Sequence, residues 1–318
     1  MFPRFKTVEE LAEMLAPEQP VYCFRPRVIT EQTRAFLTRF PGRVMFAVKS
    51  NPHPAVLEWL HEAGIRDFDT ASTGEMELVR GRFPKARCFF MHAVKGRSAI
   101  ARAWHEFGIR HFVIDHPAEL DKLRQVLGRA DIVVMVRLAT QCEAVQFDLS
   151  HKFGAKVKQA AALLDAAGEH YATGLCFHVG SQCLSPGAFA IAFDEVRKTL
   201  TASRSSIVCL DVGGGFPVRY ADADPPPLED FISVIEREFT SLNLERCELM
   251  CEPGRALVAE SMSVLTRVEL RKDRRIYLND GIYGSLHGMV IGVRFPLKWV
   301  RPGAGPAPHD TEFLAYGP

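Results

Sequence analysis

Eight short apolar runs recur along the chain, and nearly every one ends in a residue that can do chemistry. Val44 to Val48 leads to Lys49, Asp67-Phe68 to Asp69, Cys88 to Met91 to His92, and His111 to Ile114 to Asp115. Ile132 to Val136 leads to Arg137, Gly174 to Phe177 to His178, Ile207 to Leu210 to Asp211 with three glycines beyond it, and Leu249 to Cys251 to Glu252. Runs of this length, rich in β-branched and aromatic residues and separated by longer helix-like stretches, predict buried parallel strands. Eight of them predict an α/β fold, a (β/α)8 TIM-like barrel. In such a barrel the carboxyl ends of the strands face the ligand, so the polar residues that close the runs mark the candidate site.

The intervening segments carry helical spacing. Pro54 to Ala63 places Val56, Trp59, Leu60 and Ala63 on one face, with Gly64 at the position of a helix-ending glycine. Ser72 and Glu75 stand at capping-box spacing ahead of a helix over Glu75 to Val79. Gln159 to Ala167 followed by Gly168, and Ala188 to Leu200, repeat the scheme, and an acidic helix is predicted over Val8 to Leu15. Past Glu260 the period changes. Ser263 to Leu270 and Arg275 to Asn279 alternate as antiparallel strands about the charged tip Arg271-Lys272-Asp273-Arg274, which is predicted to be a solvated hairpin turn. A barrel over residues 26–260 followed by a β-rich domain over 261–318 is therefore expected.

Composition narrows the function classes. The 318 residues are 47% hydrophobic and 24% charged, enough for one large core and a smaller satellite. A net charge of +1 gives no electrostatic basis for nucleic acid or an acidic membrane surface. The eight cysteines lack metal-ligand spacing, and five of them (Cys88, Cys176, Cys209, Cys247 and Cys251) fall in or beside predicted strands. They read as small core residues of a cytoplasmic protein, with neither a metal site nor a disulfide framework. No signal-peptide core or membrane-length apolar segment is present in the sequence given.

Lys49 closes the first run. A lysine there either snorkels from the core or, partly desolvated, offers an amine for a Schiff base with a carbonyl cofactor. Asp211-Val212-Gly213-Gly214-Gly215-Phe216 and Glu252-Pro253-Gly254-Arg255 follow the seventh and eighth runs, where barrel enzymes commonly bind phosphate. Consecutive glycines let backbone N–H groups approach phosphate oxygens, and Arg255 adds charge. Lysine, phosphate anchor and strand-end carboxylate are together what a pyridoxal phosphate site needs. Glu252 would pair with the pyridine nitrogen; its alternative is an ion pair with Arg255. His178 would stack on the ring or serve as a core residue, and Arg137 would hold the ring hydroxyl or a substrate carboxylate, or act as a structural ion-pair partner.

Six motifs then carry a resemblance over nearly the whole chain: Phe46 to Asn51, Phe68 to Ser72, Phe177 to Ser181, Asp211 to Pro217, Cys251 to Arg255 and Asn279 to Ser285. In this order they resemble the fold type III pyridoxal-phosphate decarboxylases, the ornithine/diaminopimelate/arginine decarboxylase family, with the ornithine-like branch closest. The resemblance implies pyridoxal 5'-phosphate as cofactor and an amino acid as substrate. It implies Lys49 as the Schiff-base lysine, His178 as the ring-stacking residue and Glu252 as the pyridinium partner. Ser181, Gly213, Gly214, Gly215, Gly254 and Arg255 would lie at the cofactor, with Asp69, Glu75 and Arg137 in support. It further implies a head-to-tail homodimer with interfacial active sites, and a β-domain that takes in a strand from residues 1–25, around Val21 to Phe24.

Two departures from the family pattern shape the expectations. Where ornithine-type members carry an aspartate that grips the distal amine, this chain reads Met289-Val290-Ile291-Gly292-Val293-Arg294, which makes ornithine and lysine poor expected substrates and Arg294 a candidate contact for another tail. The sequence given ends at Tyr316-Gly317-Pro318, before the family's Thr-Cys-Asp-Ser stretch with its interface cysteine, so the β-domain is expected to be incomplete here. Amino-acid decarboxylation is the leading function; racemisation on the same cofactor and a non-catalytic regulatory homologue are the alternatives.

Overall fold

The first strand shows how the barrel is sealed. In the computed structural model, which describes residues 3–140, 145–147, 152–301 and 312–318, Val44, Met45, Phe46 and Ala47 are all buried. A strand apolar on both faces needs cover on both, and a closed parallel sheet ringed by helices supplies it. The eight barrel strands are β1 (Arg43–Ala47), β2 (Asp67–Thr70), β3 (Arg87–Phe90), β4 (His111–Ile114), β5 (Val133–Arg137), β6 (Ala172–Cys176), β7 (Cys209–Asp211) and β8 (Glu248–Cys251). Each pairs in parallel with its sequence neighbour, and β8 closes on β1 through Met250 opposite Arg43 and Cys251 opposite Val44. The fold predicted from the eight apolar runs is the fold observed, and each run falls on its strand.

Helices Pro26–Arg39, Pro54–Ala63, Thr73–Arg82, Arg97–His105, Pro117–Leu127, Val157–Gly168, Gly187–Ala202 and Leu228–Ser241 alternate with the strands. Inside the barrel, Met45, Phe89, Met91, Val113, Met135, Cys176, Cys209 and Met250 form one packed cluster. Outside it, Phe36, Phe177, Phe189, Phe193, Phe216 and Phe231 interlock edge to face or stacked at 5.1–6.5 Å between ring centres. Phe216 belongs to the glycine-rich segment after β7, so this cluster anchors that segment.

At the opposite, amino-terminal end of the strands, Asp67 accepts from Arg43 (3.1 Å) and Arg87 (2.5 and 2.7 Å), and Arg43 also reaches Glu248 (2.6 Å). These charges tie β1, β2, β3 and β8 together at the face where barrels keep their stabilising residues.

The chain divides into two compact units, residues 26–218 with 225–259, and residues 1–25 with 219–224 and 260–318. In the smaller one, Val21–Phe24 pairs antiparallel with Met262–Leu265. Val268–Lys272 pairs antiparallel with Arg275–Leu278, which pairs in parallel with Leu314–Tyr316. The single strand expected over Ser263 to Leu270 is thus two strands in two sheets. The break has a local cause: the Asn279 side chain accepts from the Arg267 N–H (2.8 Å) while Asn279 N–H donates to Arg267 C=O (3.1 Å), so Arg267 spends its backbone groups on a side chain and a strand end. The helix over Gln159 to Ala167 also runs further, from Val157 through Gly168.

Candidate active site

β1 ends at Ala47, and the chain turns through one short 3-10 turn, Val48–Ser50, closed by the Ser50 hydroxyl donating to Ala47 C=O (2.7 Å). Val48 is buried and Lys49, next to it, turns upward; its side chain is 55% exposed. The Lys49 ammonium donates to Asp69 Oδ2 at 2.9 Å across the β1–β2 seam. Asp69 is 1% exposed, and its other oxygen, Oδ1, has no hydrogen-bond partner among the described residues. The Asp69 charge, and behind it Glu252, holds the lysine above the ordinary range despite its crowding under the loops. Glu75 stands behind this pair. Its Oε2 accepts from Ala71 N–H (2.7 Å) and its own N–H is capped by Ser72 Oγ (3.3 Å), so the capping box forms with its return bond one residue before the cap. Burial raises the Glu75 carboxyl above its usual value.

On β7 and β8, the strands that adjoin β1 on its other side, two buried carboxyls share one region. Asp211 closes β7 and accepts from Gly213 N–H through Oδ1 (2.8 Å), while its Oδ2 is buried with no hydrogen-bond partner among the described residues. Glu252 closes β8, with its backbone N–H on Gly213 C=O (2.8 Å). Burial pushes the Asp211 acid up to about 6, and burial together with Asp211 and Asp69 holds Glu252 well above the carboxylate range. Two interacting carboxyls in a desolvated place both take up protons more readily than free ones, and they titrate as a pair.

The glycine run lies between these acids and His178. Gly213 and Gly215 have φ of +69° and +96°, and a β-carbon at either would overlap a carbonyl oxygen, of Phe177 and of Gly180 respectively. Only glycine fits, so the backbone of this turn is pressed against the segment after β6. His178 accepts from Gly180 N–H through Nδ1 (3.0 Å), which leaves the proton on Nε2, the nitrogen beside Gly214. Desolvation, with Arg137 and Lys49 adding repulsion, takes the imidazole down to about 3, so it is neutral. Ser181 Oγ accepts from Arg255 Nη2 (3.3 Å), joining the segment after β6 to the short helix after β8.

Arg137, at the end of β5, lays its guanidinium over the Phe153 ring at 5.2 Å, and His92 meets the same ring edge-on at 5.5 Å. Lys49, Asp69, Glu75, Arg137, His178, Ser181, Gly213, Gly214, Gly215, Glu252, Gly254 and Arg255 therefore all lie at the carboxyl ends of the barrel strands or on the segments that follow them, Glu75 and Arg255 in the first turn of a helix. Arg294 lies in the other unit, 78% exposed and facing Asp222 at 3.6 Å. Sequence reasoning marked Asp211 at a strand end but gave it no role of its own, and passed over Thr140, whose hydroxyl donates to His178 C=O at 2.8 Å. It also passed over Phe153 and Gln182, for which the sequence carries no signal.

Buried carboxylate oxygens without partners, a glycine cradle that no β-carbon could enter, and a lysine amine beside a neutral imidazole fit a phosphorylated pyridine aldehyde. A family model, the pyridoxal binding domain of pyridoxal-dependent decarboxylases, matches residues 27–259. The chain belongs to this family. Its cofactor is pyridoxal 5'-phosphate. The lysine/ornithine decarboxylase of Selenomonas ruminantium is 33% identical over 272 residues, covering 82% of this chain and 68% of that protein. The diaminopimelate decarboxylase of Pseudomonas aeruginosa is 32% identical, covering 80% and 64% respectively, so the chain spans roughly two thirds of each. Among solved structures, the Vibrio vulnificus lysine/ornithine decarboxylase complexed with cadaverine aligns with a TM-score of 0.83 at 30% identity, over 98% of this chain and 83% of that one. No helix among the described residues is long and apolar enough to cross a membrane, and no cluster among them is built to hold a metal ion.

Proposed function

We propose that Lys49 is the residue that binds the aldehyde of pyridoxal phosphate, and that the chain decarboxylates an α-amino acid there. The observation that carries this is the Lys49–Asp69 pair at 2.9 Å, with the Asp211 and Glu252 acids near enough to interact with the lysine's charge. When bound, the cofactor supplies an electron sink for the pair left on the α-carbon as carbon dioxide departs. Asp69 holds the Lys49 amine in place toward the cofactor's aldehyde. Glu252 holds a proton at the pyridine nitrogen, with Asp211 behind it. Neutral His178 covers the ring face without adding a charge that would oppose the pyridinium. Ser181, the N–H groups of Gly213 to Gly215, Gly254 and Arg255 receive the phosphate, and Arg137 presents a cation to the ring hydroxyl or the substrate carboxylate.

In this reading residues 26–260 form the cofactor-binding barrel, and residues 1–25 with 261–318 belong to a β-domain. The protein works in the cytoplasm, in keeping with seven free thiols among the described cysteines. It works as a homodimer, which suits a segment that leaves Tyr283 90% and Leu297 85% exposed.

Borohydride reduction of the cofactor-loaded protein followed by peptide mapping, with carbon dioxide release measured on a panel of amino acids, tests the assignment. The pyridoxyl group is expected on Lys49. A label on any other lysine overturns the site, and no carbon dioxide from any amino acid overturns the activity.

A further inference from the structure

Gln182 follows Ser181 in the short strand Ser181–Cys183 and is 3% exposed. Its φ is +56°, in the left-handed region that residues with a β-carbon avoid, so the surroundings hold it there. Its carboxamide pairs with both main-chain groups of one distant residue: Val218 N–H donates to Oε1 (3.1 Å) and Nε2 donates to Val218 C=O (2.5 Å). A few ångströms away Cys183 N–H donates to Gly215 C=O at 2.9 Å. The segment after β6 is thereby laced to the segment after β7 by one side-chain amide acting as a strand would.

Those two segments are the ones that carry Ser181 and Gly213 to Gly215. Phe216 pins the far end of the glycine turn into the aromatic cluster, and Gln182 pins the next turn of chain at Val218. We propose that Gln182 is a positioning residue for the phosphate cradle: it sets the distance between the Ser181 hydroxyl and the glycine N–H groups. This rests on the reading that these groups receive the cofactor's phosphate. Only glutamine serves, because the task needs one donor and one acceptor at this reach. A glutamate accepts from Val218 N–H but turns a negative charge on Val218 C=O, and a methionine leaves both backbone groups buried without partners.

The test compares pyridoxal phosphate with pyridoxal, which lacks the phosphate. Dissociation constants of both for the apoprotein are measured by absorbance titration in wild type, Gln182→Glu, Gln182→Met and Gln182→Gly, the last relieving the backbone strain while removing the amide so that at least one variant folds. A displaced cradle lowers the preference for the phosphorylated form about tenfold or more, as expected when a buried pairing is lost, while pyridoxal affinity stays near wild type. A folded variant that keeps the wild-type preference overturns the role of Gln182. So does parallel loss of both affinities, which a merely structural residue would give. A wild type that binds pyridoxal as tightly as pyridoxal phosphate overturns the phosphate cradle itself, and this inference with it.

Discussion

The Lys49 ammonium lies 2.9 Å from Asp69 Oδ2, and the two residues close neighbouring strands of the barrel. Asp69 is inside the wall and Lys49 is open to the mouth, so the carboxylate fixes the direction of the amine from below. It also holds the amine protonated, which slows attack on a carbonyl until that proton is lost. In Asp69→Asn the pH midpoint for capture of pyridoxal phosphate by the apoprotein is expected to move down, each unit giving about ten times more free amine at a fixed pH below it. Stopped-flow absorbance across pH measures this, and an unchanged midpoint would show that Asp69 does not govern the lysine.

The Asp211–Glu252 pair makes an opposite kind of prediction, about stability. Both carboxyls titrate higher folded than unfolded, so the folded protein binds the extra proton and the contribution is full below the ordinary carboxylate values. It is lost as pH rises, first through about 6 for Asp211 and then higher for Glu252, at up to about 1.4 kcal/mol per pH unit for one proton. Glu252→Gln carries a neutral side chain at every pH. The apoprotein variant is expected to melt higher than wild type by a margin that widens from pH 4 upward, while turnover falls about 10²- to 10⁴-fold. A margin that shrinks with pH would show that the folded pair does not bind the extra proton.

Stability without catalysis is expected at the other end of the barrel. Asp67 sits between Arg43 and Arg87, and the Arg43 side chain is largely buried. Asp67→Asn strands part of that charge and is expected to cost about 3 kcal/mol, the scale for breaking a buried pair, since the exposed Arg87 arm adds little. Activity per folded molecule should be unchanged. Denaturant melts and active-site titration separate the two effects, and a large loss of kcat in fully folded protein would contradict the division of the barrel into a stabilising face and a chemical face.

Much of this was legible in the residues. The barrel strands announce themselves because a buried parallel strand has to be apolar on both faces, and strand-end polarity is visible because nothing else in such a run is polar. Lys49, His178 and Glu252 stand out for that reason. The 3-10 turn that lifts Lys49 is not legible, because Gly254, from the segment after β8, packs against Ala47 and Ser50, far away in sequence. Gln182 is invisible for the same reason: its partner is 36 residues away and its left-handed backbone is imposed by tertiary contacts. The break at Arg267 was missed because alternation continues through it, and only the Asn279 side chain interrupts the ladder.

Selectivity for the substrate's tail is expected to turn on the stretch where the family resemblance implies an aspartate that grips a distal amine. The stretch Met289 to Arg294 holds no carboxylate, and Gly292 caps the turn Ser285–Ile291 with φ of +86°, a position that favours glycine over a side chain able to grip an amine. A distal ammonium that is desolvated without a charged partner loses its water without compensation, and loss of one partner of a buried pair costs about 2–5 kcal/mol. Ornithine and lysine are therefore expected to be turned over with kcat/KM lower, by roughly that energy, than an amino acid with a neutral or acidic tail. Arg294 is the cation in the same stretch, and its exposed pairing with Asp222 at 3.6 Å is of the surface kind that contributes about 0–1 kcal/mol and gives way readily. Arg294→Ala should then depress turnover of an acidic substrate while leaving that of a neutral one unchanged. Measuring carbon dioxide release for ornithine, lysine, glutamate and a neutral amino acid in wild type and variant decides the matter: ornithine or lysine as the best substrate would show that another group grips the amine.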